Sequence, residues 1–169
     1  MNAKSKTITL PDSVMKLLEE ESRRRGLPIE YIIIEKVMNN TSSLDRASAY
    51  ERLCDKYLKE AEEFEKKDDL VQASEKLWGA VATCIAAIAE LRGWEHYKHR
   101  HLAEIIERLA HEENDPELAD LFANAERLHA NFYHNFLRKA TYNIHAKKAR
   151  ELIRRLKDII RKIRSQLIE

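Results

Sequence analysis

The segment from Leu70 to Leu91 constrains the fold more than any other part of the chain, because it is apolar on nearly every side. A helix of this kind has to be covered by neighbouring elements on several sides. Small side chains would let those neighbours approach closely, and the segment contains many of them, namely Ala73, Gly79, Ala80, Ala82, Ala86, Ala87 and Ala89. The segment therefore predicts a central helix inside a helical bundle.

The composition agrees with a mostly helical, soluble protein. Only three glycines and three prolines occur in 169 residues, which favours long helices joined by short turns. The net charge of +1 excludes a global field that would attract nucleic acid, so any such binding needs a local patch. No apolar run reaches the roughly 20 residues that span a bilayer, and the polar N-terminus lacks a signal peptide. We expect a cytoplasmic protein without membrane contact, and the many Glu, Lys and Arg residues suggest a thermophilic source.

The two cysteines, Cys54 and Cys84, lie on either side of a predicted helical hairpin that turns near residues 67–69. This arrangement places them at a similar height on adjacent helices. Both a disulfide and a pair of buried free thiols are compatible with the pattern.

The first forty residues form a unit of their own. Residues 6–10 alternate between apolar and polar side chains, which predicts a short strand. Pro11 opens a helix, Gly26 ends it and Pro28 opens a second helix. A lone strand cannot satisfy its backbone, so the unit requires a partner strand.

Strand, helix, turn and helix in this order resemble the ribbon-helix-helix fold over about residues 4–40. The resemblance implies a homodimer whose paired strands could enter the DNA major groove. The side chains that would read bases are those of Ser5, Thr7 and Thr9. Leu27-Pro28 stands where that family often has a small polar residue, and the segment is nearly neutral. Dimerisation without DNA binding is therefore the alternative.

A polar hinge at residues 39–43 separates this unit, residues 1–40, from a helical remainder, residues 45–169. The end of the remainder is basic, because residues 138–169 hold eleven Lys or Arg residues and three acidic residues. This segment is either a bundle helix with a solvated face or a basic patch whose natural ligand is RNA.

Residues 125–136 concentrate the side chains that could carry chemistry. Six residues separate Arg127 from His134, so the two lie close to two helical turns apart and can face the same way. An arginine that holds an anion and a histidine that moves a proton suffice to cleave a phosphodiester without metal. The alternative is a core face formed by residues 121, 122, 125, 128, 129 and 132, which includes His129.

Other polar positions are less specific. No carboxylate or thiol stands at a metal-ligand spacing from the histidine cluster His96, His99 and His101. The neighbouring Lys98 and Arg100 would also repel a cation, so we expect no metal and no cofactor. Glu75 and Lys76 stand on the predicted central helix, where they either pair with residues 127–134 or remain solvated at an exposed helix start.

Three motifs resemble the archaeal PaREP family from about Tyr50 to the C-terminus: residues 69–80, Arg92-Gly93-Trp94 with His99, and residues 128–133. That family resembles the HEPN superfamily of helical bundles, which are often dimeric and occur in toxin–antitoxin and RNA-cleaving systems. The resemblance implies an all-α fold, with a HEPN-like bundle of four to five helices behind the short strand–helix–helix unit.

Active HEPN ribonucleases carry an arginine, four to six residues and then a histidine, and Arg127 and His134 match this spacing. The resemblance implies that Arg127 holds the phosphate and His134 acts on the 2′-hydroxyl or the leaving oxygen, with no metal. Leu128 stands where a polar residue is normal, and a different alignment places His129 at the arginine position. The residues that would bind RNA or a partner are Asn131, Tyr133, Glu75, Lys76 and His99. The alternatives are a non-catalytic module that binds a protein such as a nucleotidyltransferase, and an autoregulatory DNA-binding protein.

Overall fold

The computed structural model describes residues 6–167, which form seven α-helices joined by short connections. In chain order these are α1 (Asp12–Arg25), α2 (Ile29–Val37), α3 (Ser43–Lys66), α4 (Leu70–Arg92), α5 (His99–Glu112), α6 (Glu117–His134) and α7 (Lys139–Gln166). None of the helices within residues 6–167 is both long enough and apolar enough to cross a membrane.

Helix α4 is the centre of the structure, as its sequence predicted. Every residue from Leu77 to Glu90 is buried, and helices α3, α5, α6 and α7 all pack against α4. Gly79 permits the closest of these approaches, because a Cβ atom there would lie 2.9 Å from the ring of Tyr57 on α3. The absence of a side chain at Gly79 thus sets the spacing of α3 and α4.

Local signals in the sequence fix the ends of several helices. Ser42 and Asp69 cap α3 and α4 by accepting hydrogen bonds from the backbone N–H groups of Asp45 and Gln72. Gly26 ends α1 with a φ of 66°, a conformation that glycine adopts at little cost. The short connections keep successive helices adjacent in space.

The prediction of an N-terminal strand is wrong. Residues 6–10 have no regular secondary structure, Ile8 is 75% exposed, and residues 6–167 contain no strand. An alternating pattern of five residues forms a strand only when an edge is available to pair with it, and the described part of the chain offers none. Ser5 lies outside the described residues, while Thr7 and Thr9 are exposed in the irregular segment.

The predicted fold class is therefore wrong as well. In the described part of the chain, seven helices and no strand replace the expected strand–helix–helix unit and bundle of four to five helices. The ribbon-helix-helix interpretation is wrong because it requires that strand. The prediction that Ser5, Thr7 and Thr9 read DNA bases depended on the same strand. Leu27 and Tyr31 join the same hydrophobic core as α3 and α4.

Helix α1 is the least covered element. It buries none of its residues, and Val14 and Leu17 are 39% and 67% exposed. The homodimer and the division at residue 40 stay predictions.

Cys54 and Cys84 face each other between α3 and α4, as the hairpin geometry required. Both are buried free thiols, and their Sγ atoms lie 3.0 Å apart. The hydrogen bond with Cys54 and burial raise the pKa of the Cys84 thiol well above its usual value. The pair thus belongs to the core rather than to an exposed reactive site.

Candidate functional site

A buried polar network fastens α2 to the rest of the bundle. The Tyr31 hydroxyl lies 2.5 Å from His96 Nδ1 and donates to the His96 carbonyl at 2.7 Å. His96 Nε2 lies 3.0 Å from Glu90 Oε1, and Arg46 donates to Glu90 at 2.9 Å. His96 is therefore a structural residue that links α2, α3 and α4.

The chain turns sharply between α6 and α7, and Asn131 holds that turn. Its Oδ1 atom accepts the backbone N–H groups of Phe136 and Leu137 at 2.9 and 2.8 Å. Its Nδ2 atom donates to Ser74 Oγ on α4 at 2.9 Å. Asn131 is fully buried, so we assign to it a supporting role behind the surface instead of direct contact with a ligand.

The surface at this turn, which we name the α6–α7 corner, consists of Arg127, Tyr133, His134, Phe136 and Arg138. All five residues are exposed, with Tyr133 and Phe136 exposed by 45% and 39%. The guanidinium of Arg127 lies 4.5 Å from the centroid of the Phe136 ring, a cation–π contact. Phe136 follows the end of α6 by two residues. The turn therefore brings the Phe136 ring back against Arg127 on α6.

Arg127 and His134 lie seven residues apart on the same helix, α6. Among residues 6–167, no hydrogen bond joins the two side chains. His134 stands in the last turn of α6, open to solvent.

The sequence that contains the corner lacks acidic residues. No acidic residue occurs between Glu126 and Glu151, and the interval contains Arg127, Arg138, Lys139, Lys147, Lys148 and Arg150. Three of these pair with acids of other segments, since Lys139, Lys148 and Arg150 contact Asp68, Asp120 and Glu65 at 2.8 to 2.9 Å. The other three, Arg127, Arg138 and Lys147, form no ion pair with any residue from 6 to 167.

His129 has a different environment from His134, although both belong to α6. Its ring stacks on Trp78 with centroids 4.6 Å apart and lies 5.7 Å from His99. Burial, together with the charge of His99, lowers the pKa of His129 to about 4, so it is neutral at pH 7. A neutral, stacked imidazole cannot replace the phosphate-holding arginine, and His99 is held by Glu126 at 2.8 Å.

Glu75, Lys76 and Tyr133 come together in a second site. They line a cleft of about 580 Å³ between α1, α2, α3, α4 and α6, which we name the α4 cleft. Burial raises the pKa of the Glu75 carboxyl to about 7. Lys76 pairs with Glu60 at 2.8 Å and lies over the ring of Tyr57. The other residues that line the cleft are Glu19, Ser22, Arg23, Pro28, Ile29, Glu30, Tyr57, Gln72 and Phe132.

The structure thus divides the predicted residues among four environments. Arg127 and His134 stand in the corner, Glu75 and Lys76 in the cleft, and Tyr133 borders both. His99 and His129 belong to the aromatic stack on Trp78, and Asn131 is buried. Sequence reasoning missed Phe136 and Arg138, which the acid-free run from 127 to 150 could have indicated. Within residues 6–167, no group of three or more His, Cys, Asp or Glu side chains could hold a metal ion.

Comparison with known proteins gives two matches. The model of the archaeal PaREP1/PaREP8 family matches residues 49–153, which is more than half of the chain. A crystal structure of a protein from Sulfolobus solfataricus is similar, with a TM-score of 0.57 and 25% sequence identity. The similarity covers 63% of this chain and 94% of the Sulfolobus chain. Among curated proteins, none matches this chain.

Proposed function

The chain belongs to the archaeal PaREP1/PaREP8 family, and we propose that it binds single-stranded RNA at the α6–α7 corner and cleaves it there without a metal. The observation that carries the proposal is the combination of exposed aromatic rings with cations that have no acidic partner. Single-stranded nucleic acids are held by such surfaces, because bases stack on aromatic rings while cations follow the phosphates.

The corner supplies both parts of that surface. Tyr133 and Phe136 expose their rings, and Arg127 and Arg138 add positive charge that no acid in residues 6–167 neutralises. Arg127 already stacks on Phe136, which holds its guanidinium in place while leaving its N–H groups free for a phosphate. The corner therefore favours an anionic ligand that carries aromatic bases, such as RNA, over a cationic or neutral ligand.

Cleavage would use Arg127 and His134 in the roles that the resemblance to HEPN ribonucleases implies. His134 would take the proton of a ribose 2′-hydroxyl, and the 2′-oxygen would displace the 5′-oxygen at phosphorus. The 5′-oxygen would leave with a proton from solvent, so the product carries a 2′,3′-cyclic phosphate. Arg127 would stabilise the charge that develops on the phosphate oxygens. A toxin–antitoxin setting and a homodimer belong to the same proposal, whereas a non-catalytic module that binds a protein such as a nucleotidyltransferase is the alternative to it.

Cleavage of labelled single-stranded RNA in EDTA tests this proposal. We expect wild-type protein to yield 2′,3′-cyclic ends, and both His134→Ala and Arg127→Ala to cleave at least about a hundredfold more slowly. His111→Ala is the matched control for His134, because His111 is also an exposed histidine in the last turn of a helix. Arg52→Ala, at an exposed position of α3, is the control for Arg127. Cleavage that survives in His134→Ala, or that is equally lost in the controls, would contradict the assignment.

A further inference from the structure

In the α4 cleft, the carboxyl group of Glu75 has a buried oxygen atom that lacks a hydrogen-bond partner in the described part of the chain. Its Oε2 atom is buried and has no hydrogen-bond partner among residues 6–167. A buried carboxylate oxygen without a partner lowers the stability of the protein, because desolvation is not compensated. A bound ligand with an N–H donor would remove this cost.

Two neighbouring charges of the cleft, those of Glu30 and Lys76, already have partners, while Glu19 and Arg23, which also line it, are exposed to solvent. Glu30 accepts hydrogen bonds from Lys56, at 2.5 Å, and from the Tyr57 hydroxyl. Lys76 contacts Glu60 at 2.8 Å. Glu75 thus lines the cleft with a buried oxygen that no described residue hydrogen-bonds, and a ligand with a cationic N–H donor matches its carboxylate.

The walls around Glu75 are suited to an apolar body. Pro28 and Ile29 lie on one side and the aromatic rings of Tyr57, Phe132 and Tyr133 lie on others. Aromatic faces attract organic cations, and a volume of about 580 Å³ falls within the range of small-molecule sites.

We propose that the α4 cleft binds a small alkylammonium compound, whose ammonium group donates to Glu75 while its alkyl chain lies against Phe132 and Tyr133. Nucleic acid is not a candidate for this position, because a phosphate would face the Glu75 carboxylate. The proposal does not require RNA binding at the corner, although Tyr133 borders both sites.

Binding at this position should depend on pH. The ammonium group pairs with ionised Glu75, whose pKa burial raises to about 7, while Lys76 opposes and Glu30 reinforces the rise. Affinity should therefore increase about tenfold from about pH 6 to about pH 8 as Glu75 loses its proton, and then level off. The titratable and charged groups that face this position from the surrounding helices are Glu19, Arg23, Glu30, Tyr57, Glu60, Lys76 and Tyr133.

NMR titration of the folded protein with n-pentylamine tests the proposal, with 1-pentanol as the neutral analogue of the same shape. We expect saturable shifts at cleft residues with the amine and at least tenfold weaker binding of the alcohol. Glu75→Gln should weaken amine binding about ten- to a hundredfold and abolish its pH dependence. Glu63→Gln, at an exposed position of α3 outside the cleft, should change neither.

The result that would overturn the proposal is equal binding of amine and alcohol, or amine binding that Glu75→Gln leaves unchanged. Loss of folding does not obscure the test, because Gln replaces Glu75 without a change of shape and removes an unpaired buried charge. RNA binding by Glu75→Gln should equal that of wild type, which separates a failure here from a failure at the corner.

Discussion

Replacement of Asn131 by alanine is expected to lower the free energy of unfolding by about 3–5 kcal/mol. The substitution removes the acceptor of two backbone N–H groups, those of Phe136 and Leu137, and the donor to Ser74. Each buried group left without a partner costs about 1–3 kcal/mol, and a small cavity adds to the loss. Chemical denaturation followed by circular dichroism measures the change.

Two further variants sharpen this prediction. Asn143→Ala, at an exposed position of α7, should change the stability by less than about 0.5 kcal/mol. Ser74→Ala should be destabilising by itself but should add less than its full cost in the Asn131→Ala background, because the two side chains share a hydrogen bond. Stability of Asn131→Ala within about 1 kcal/mol of wild type would show that the corner is held in another way.

Glu90→Gln is expected to cost about 3–5 kcal/mol at neutral pH. Glu90 is 7% exposed and accepts hydrogen bonds from Arg46 and His96, so the substitution removes the carboxylate that pairs with Arg46 and leaves that guanidinium with the Thr41 carbonyl as its remaining acceptor. The same change should loosen α2, since His96 also contacts Tyr31. Urea denaturation at about pH 7 gives the cost.

The pH dependence of that cost has a defined sign. Burial alone would raise the pKa of Glu90. The hydrogen bonds from His96 and Arg46 lower the pKa by more than burial raises it, so the net shift is downward. A lowered pKa means that Glu90 stabilises the fold above its unfolded-state value, near 4.5, and that this stabilisation is lost as the pH falls below it. The difference between wild type and Glu90→Gln should therefore shrink in acid. Glu107→Gln, exposed on α5, should have little effect at either pH, and a constant cost of Glu90→Gln would contradict the assigned network.

The central helix could be predicted from the sequence because residues 70–91 are apolar on nearly every side, and such a helix must be buried on all sides. Whether residues 6–10 form a strand could not be predicted in this way. An alternating segment forms a strand only if the edge of another strand pairs with it, and the sequence of the segment does not show whether such an edge exists. The network around His96 was equally out of reach, because its partner Tyr31 lies 65 residues away in the chain.

The candidate site shows a similar division. The acid-free run around Arg127 and His134 is visible in the sequence, but the different environments of His129 and His134 are not. They follow from the position of Trp78, which covers one ring and leaves the other in solvent. The meeting of Glu75 with Tyr133 likewise depends on how α4 and α6 pack, which periodicity alone does not determine.

The central claim is that the α6–α7 corner binds RNA, and fluorescence anisotropy with a single-stranded RNA of about 20 nucleotides tests it most directly. Wild-type affinity should fall as salt rises from about 50 to 200 mM. The triple change to alanine of Arg127 and Arg138 in the corner, together with Lys147 of the same acid-free run, should reduce the salt slope by about 2. A matched triple change at the exposed Lys16, Lys36 and Arg52 should leave the slope unchanged. Absence of binding at low salt, or an equal loss in both triple variants, would contradict the claim.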